Sequence, residues 1–228
     1  MPDALTLDHV TLPPRQPSAD VPLLLLLHGV GSNERDLIQL APYLDPRFFV
    51  ISARAPITLA PGMYAWFEVQ LDPVRPIINP QQAESSRQKL LTFIDETIET
   101  HGIDPARVYL MGFSQGAIMS FSVGLTRPEK VAGIVAMSGR VLPEIIPHIA
   151  PPEALAGLPI FVAHGTEDQV LPIHHGRAAR DLLQRLPVAL TYREYPIGHH
   201  VSDQSLADIA AWLTARLNEP HRTLPHRP

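Results

Sequence analysis

Val108-Tyr109-Leu110-Met111-Gly112-Phe113-Ser114-Gln115-Gly116 passes from an apolar run into a serine held between two glycines, and residues 115–126 continue as an amphipathic run. That order predicts a buried strand, a sharp turn and a helix. Glycine at 112 and 116 admits backbone crowding that a Cβ would block. The Ser114 hydroxyl is then lifted above the sheet, at a helix N-terminus whose free N–H groups favour negative charge. With strand, turn and helix in sequence, Ser114 reads as a nucleophile rather than an N-capping residue. Ser138, in Met137-Ser138-Gly139, also follows an apolar run but has no comparable helix behind it. It is expected in a loop near the pocket.

Outward from this turn, short apolar runs alternate with longer amphipathic ones. Residues 21–27, 48–53, 131–137, 160–163 and 190–195 repeat the strand character, and residues 6–12 alternate as an antiparallel edge strand should. Helices are expected over 34–44, 81–100, 115–126, 174–186 and 203–217, the second opened by Asn79-Pro80 as N-cap and first helical residue. The fold class is therefore α/β, a mostly parallel central sheet with helices on both faces. No repeat or linker divides the chain, so residues 1–217 are expected as one domain and 218–228 as a loose C-terminal tail. The 25 prolines concentrate in 55–80 and 143–159, which read as long ordered loops.

Composition narrows the function. The net charge of −5 gives no footing for a polyanion, which excludes nucleic acid as an expected partner. No cysteine is present, so disulfides, thiolate metal sites and a cysteine nucleophile are excluded together. The N-terminal residues lack the pattern of a signal peptide, and the most apolar run, 21–27, is too short to span a membrane. A cytoplasmic enzyme without stable membrane insertion is expected, with homodimerisation left open. No histidine cluster offers a metal ligand set, and neither metal nor other cofactor is expected.

A serine hydroxyl needs a base, and the base an orienting acid. Both should lie in loops after later strands. One loop is His164-Gly165-Thr166-Glu167-Asp168, the other Pro196-Ile197-Gly198-His199-His200. Of 11 histidines, His199 and His200 lie in the loop directly after the last strand, while His221 and His226 fall in the tail. Gly198 favours a turn presenting His199. Asp168 is preferred to Glu167 because Val170, Leu171 and Pro172 would anchor its loop. The two oxyanion donors are expected to be the backbone N–H groups of Gln115 and of Val30, the latter in His28-Gly29-Val30-Gly31-Ser32. His28 is expected to brace that loop.

These segments, in this order, resemble the phospholipase/carboxylesterase family of α/β-hydrolases, which includes bacterial carboxylesterases and acyl-protein thioesterases. Ala65-Trp66-Phe67 resembles the family's aromatic segment, and the likeness spans about residues 5–217. The resemblance implies an α/β-hydrolase fold, Ser114, Asp168 and His199 as a triad, Val30 and Gln115 as oxyanion donors, and hydrolysis of carboxylic esters or thioesters. His200 is not explained by it. Only residues 140–158 separate two strands where a lid would insert, so no large cap domain is expected. Leu142 and Ile145 from that segment, opposite Met63 and Trp66, are read as pocket walls for a small ester. The rival readings are an acyl-protein thioesterase or lysophospholipase on the same machinery, and a non-catalytic binding protein. The intact Ser–Asp–His set speaks against the last.

Overall fold

Five leucines in a row, Leu23–Leu27, are all fully buried, which requires cover on both faces of their strand. A computed structural model describes residues 5–16, 18–70 and 77–219. In chain order the strands are β1 (His9–Leu12), β2 (Leu23–Leu27), β3 (Phe49–Ala53), β4 (Ile57–Ala60), β5 (Met63–Ala65), β6 (Val69–Gln70), β7 (Ile77–Ile78), β8 (Val108–Phe113), β9 (Gly133–Met137), β10 (Pro159–Gly165) and β11 (Ala189–Tyr195). The α-helices are α1 (Pro80–His101), α2 (Gln115–Thr126), α3 (Pro152–Leu155), α4 (His174–Leu183) and α5 (Asp203–Asn218).

Seven strands form one sheet in the order β1-β3-β2-β8-β9-β10-β11, with only the edge strand β1 antiparallel to its neighbour. Period-two alternation splits the core. Leu23, Leu25, Leu27, Leu110 and Ile134 pack on one face with Phe93, Ile94 and Phe121 of α1 and α2. Leu24, Leu26, Met111 and Val135 pack on the other with Leu37, Ile209 and Leu213. The chain leaves β2 toward β3 on one side and returns at β8 on the other, so the crevice above β2 and β8 is the switch point where open α/β sheets place their ligands.

Several expected elements shift for local reasons. Residues 34–44 do not form an α-helix; a 3₁₀ helix spans Leu37–Tyr43, and Pro42 inside it withholds a backbone donor. The proline-rich 55–80 segment, where described, carries the β4–β5 and β6–β7 hairpins. The 143–159 loop holds a 3₁₀ turn, Pro143–His148, and α3, with no separate cap. Asn79 caps α1 as expected, its side chain accepting from the Gln82 N–H at 3.1 Å, and Gly102 ends the helix at φ 62°. Asn218 is the last residue of α5 rather than the first of a tail, and 220–228 lie outside the described residues. Among the described residues no helix is long and apolar enough to cross a membrane.

Candidate active site

Ser114 joins β8 to α2 with φ 54° and ψ −115°, a conformation costing about 1–3 kcal/mol that the surroundings must hold. The two flanking glycines explain how. A Cβ at Gly112 would lie 2.2 Å from the Gly116 carbonyl oxygen, and one at Gly116 would lie 1.8 Å from that of Leu27. The turn is thus folded against its own helix and against the end of β2. The Ser114 N–H donates to the Met137 carbonyl at 2.9 Å, tying the turn to β9. Ser138 also has a positive φ, of 50°, but it is buried and its N–H donates back to Ala163 at 2.8 Å.

The loops after β10 and β11 are laced together. Thr166 and Glu167 donate their N–H groups to the carbonyls of Tyr195 and Ile197 at 2.8 and 3.0 Å. This brings Asp168 to His199: Oδ2 lies 2.7 Å from Nδ1, and His199 Nε2 lies 3.0 Å from Ser114 Oγ. Asp168 Oδ1 accepts the N–H groups of Val170 and Leu171 at 2.9 and 2.7 Å. Burial works to raise its pKa, but the His199 contact and these two N–H groups outweigh it and hold the carboxyl below its usual range. An ionised carboxylate only accepts, so Nδ1 carries the His199 proton and Nε2 is left to accept from the serine. The structure therefore brings all three expected residues together. Val170 is not the loop's anchor, being 69% exposed. The anchor is the Asp168 carboxylate, with buried His164 donating from Nε2 to the Leu171 carbonyl at 2.7 Å.

Above the serine, the loop after β2 is pinned to β5. Gly31 N–H donates to Tyr64 O at 2.8 Å and Tyr64 N–H to Ser32 O at 2.9 Å. The Val30 N–H has no protein acceptor among the described residues, and Gln115, first in its helix, has no intrahelical acceptor. His28 braces this loop: Ala55 N–H donates to Nε2 at 3.1 Å, so Nδ1 is the donor to Gly29 O at 2.7 Å. Burial, opposed by that backbone contact, lowers its pKa and keeps the ring neutral. The Gln115 side chain, unnoticed in the sequence, accepts from Trp66 N–H at 2.9 Å and donates to Phe67 O at 2.7 Å.

The expected pocket walls need correction. Trp66 is fully buried, and its indole N–H donates to His28 O at 2.9 Å, so it props the loop from below. Leu142 and Ile145 are buried and line a cavity of about 380 Å³ with Arg87, Ser122 and Thr126, away from the serine end of α2. Met63 is 45% exposed, its methyl group 3.4 Å from where a Cβ on Gly31 would lie. The cavity that includes His199 is another, of about 310 Å³, walled by Leu37, Leu40, Phe113, His200 and Val201. Its walls come from distant parts of the chain, and only the apolar periodicity of 37–44 hinted at them.

One clamp outside the triad makes a measurable prediction. Arg54, at the end of β3, pairs with both Glu34 oxygens at 2.7 and 2.8 Å and with Asp8 at 2.7 Å. The guanidinium hydrogen bonds hold buried Glu34 at a pKa of about 2, against 4.5 when unpaired. Stability from this pair is complete above 4.5 and is lost as pH falls toward 2. Glu34→Gln is expected to cost about 1–3 kcal/mol at neutral pH and to flatten the melting-temperature profile in that acid window. A wild-type profile unchanged by the substitution would remove the clamp from the account.

A mostly parallel sheet with a strained serine turn at its switch point defines the α/β-hydrolase fold. The chain belongs to the phospholipase/carboxylesterase family, whose profile matches residues 9–217. It is 32% identical over 214 residues to acyl-protein thioesterase 1 of Neurospora crassa, covering 85% of this chain and 86% of that one. Among solved structures, the Bacillus cereus carboxylesterase superposes with a TM-score of 0.80 at 25% identity, covering 92% of this chain and 94% of its own. The Mesorhizobium loti carboxylesterase gives 0.80 at 26% identity, with 93% and 96% covered. The protein is a hydrolase of this carboxylesterase and thioesterase family.

Proposed function

We propose that the protein is a serine carboxylesterase that cleaves small to medium acyl esters through an acyl-enzyme on Ser114. The observation that carries this reading is the unbroken relay from Ser114 Oγ through His199 to ionised Asp168, with contacts of 3.0 and 2.7 Å. His199 Nε2 takes the serine proton as Oγ attacks the ester carbonyl. The oxygen that gains charge is met by the N–H groups of Val30 and Gln115. His199 then gives its proton to the departing alcohol oxygen, and water repeats the sequence to release the acid. Val30 and Met63, 48% and 45% exposed, leave apolar surface beside the serine for an acyl group. The likeness to a fungal acyl-protein thioesterase favours a second reading, a thioester substrate cleaved by the same steps. Lysophospholipase activity would use them too.

Treatment with a small organophosphate is expected to add one adduct to the intact mass, mapped by peptide analysis to Ser114. Labelling at Ser138, or none, would overturn the assignment. Rates across matched ester and thioester chain lengths then separate the two substrate classes.

A further inference from the structure

The cavity beside His199 continues outward. Leu40 and Val201 also line a second cavity of about 500 Å³, with Tyr43, Leu206 and Ala207. Together they form a groove between the 3₁₀ helix and the start of α5, with half-buried apolar side chains along it. The first compartment alone is in the size range of sites that hold a whole small ligand. Asp36 lies at the inner compartment and Asp203 at the outer one, and among the described residues neither Lys nor Arg lines either.

We propose that this groove receives the alcohol portion of the ester, so that the enzyme selects neutral, apolar leaving groups by their length. The inference rests on the serine esterase reading and follows from the tetrahedral centre. One of its oxygens faces the Val30 and Gln115 N–H groups, and a second is bonded to Ser114. The leaving oxygen must come within about 3 Å of His199 Nε2 to receive its proton. His199 is itself part of the groove wall, and the Phe113 ring packs on it with centroids 4.8 Å apart. The substituent on the leaving oxygen therefore runs into the groove, and the acyl chain, on the remaining bond, points away toward Val30 and Met63. The carboxylates of Asp36 and Asp203, with neither Lys nor Arg beside them among the described lining residues, disfavour a leaving group that carries phosphate or carboxylate.

The test compares kcat/KM, which reports acylation, in two dissolved series: ethyl to hexyl butyrates, and ethyl esters from butyrate to octanoate. Wild-type kcat/KM is expected to rise about threefold to fourfold per methylene of alcohol until the groove ends. A butyrate ester whose alcohol chain has the same length but ends in a carboxylate should react at least about tenfold more slowly. Leu40→Asp and Val201→Asp, checked for folding by thermal melts, should cut the hexyl-to-ethyl ratio by about tenfold or more while the acyl-length slope persists. A flat alcohol series in wild-type protein that still takes the Ser114 adduct overturns the groove and leaves the esterase reading standing. So does flattening of the acyl series instead of the alcohol series in the variants. Absence of the adduct overturns both.

Discussion

Ser114→Ala is expected to lower ester turnover by about 10⁶-fold, and His199→Ala by a similar factor. The two effects should not add. Ser114 Oγ and His199 Nε2 share one hydrogen bond of 3.0 Å, and neither has a part in acyl transfer without the other. The loss corresponds to about 8 kcal/mol of transition-state stabilisation. Ser114→Ala removes one buried hydroxyl while leaving the backbone hydrogen bond to Met137 in place, so the fold should survive. On the esterase reading, what remains is the contribution of binding and of the two backbone donors proposed at Val30 and Gln115. Steady-state rates on a soluble ester, with melting curves as the folding control, decide it. A dead His200→Ala beside an active His199→Ala would move the base one residue along.

Much of this site is legible in the residues because its chemistry is local. The Gly112–Gly116 turn is announced by five consecutive residues, and the strand before it and the helix behind it are equally plain. Asp168 and His199 follow from loop position after β10 and β11, which apolar runs mark well. The groove walls and loop props are different in kind. Trp66 is an aromatic in a loop until the His28 carbonyl supplies an acceptor for its indole, and only then is it a buried prop. Leu40 and Val201 share a groove although 161 positions separate them, and no periodicity reports that contact. Residues 34–44 carry helical spacing, but Pro42 and the turn at Asn33–Asp36 leave only a 3₁₀ segment. Val170, apolar in a loop expected to be anchored by it, is exposed because the Asp168 carboxylate does the anchoring through backbone N–H groups.

Asp168→Asn is expected to lower turnover by about 10⁴-fold with little effect on the fold. The reason lies in how the two carboxylate oxygens are used. Oδ1 accepts from the Val170 and Leu171 N–H groups, and Oδ2 accepts the His199 Nδ1 proton. In asparagine the single carbonyl oxygen stays with the two backbone donors, where an amide NH₂ could make no hydrogen bond. The NH₂ then faces His199 and donates to Nδ1, which drives the imidazole proton to Nε2. That tautomer offers Ser114 a donor where a base is required. The variant also lacks the negative charge that stabilises imidazolium in the transition state. Asp168→Ala should behave differently, leaving the two backbone N–H groups without their acceptor and costing about 1–3 kcal/mol of stability in addition to activity. The comparison is made with kcat/KM, the rate of organophosphate labelling and thermal melts on both variants. An Asn variant within about 100-fold of wild type, labelled at the wild-type rate, would show that another carboxylate orients His199.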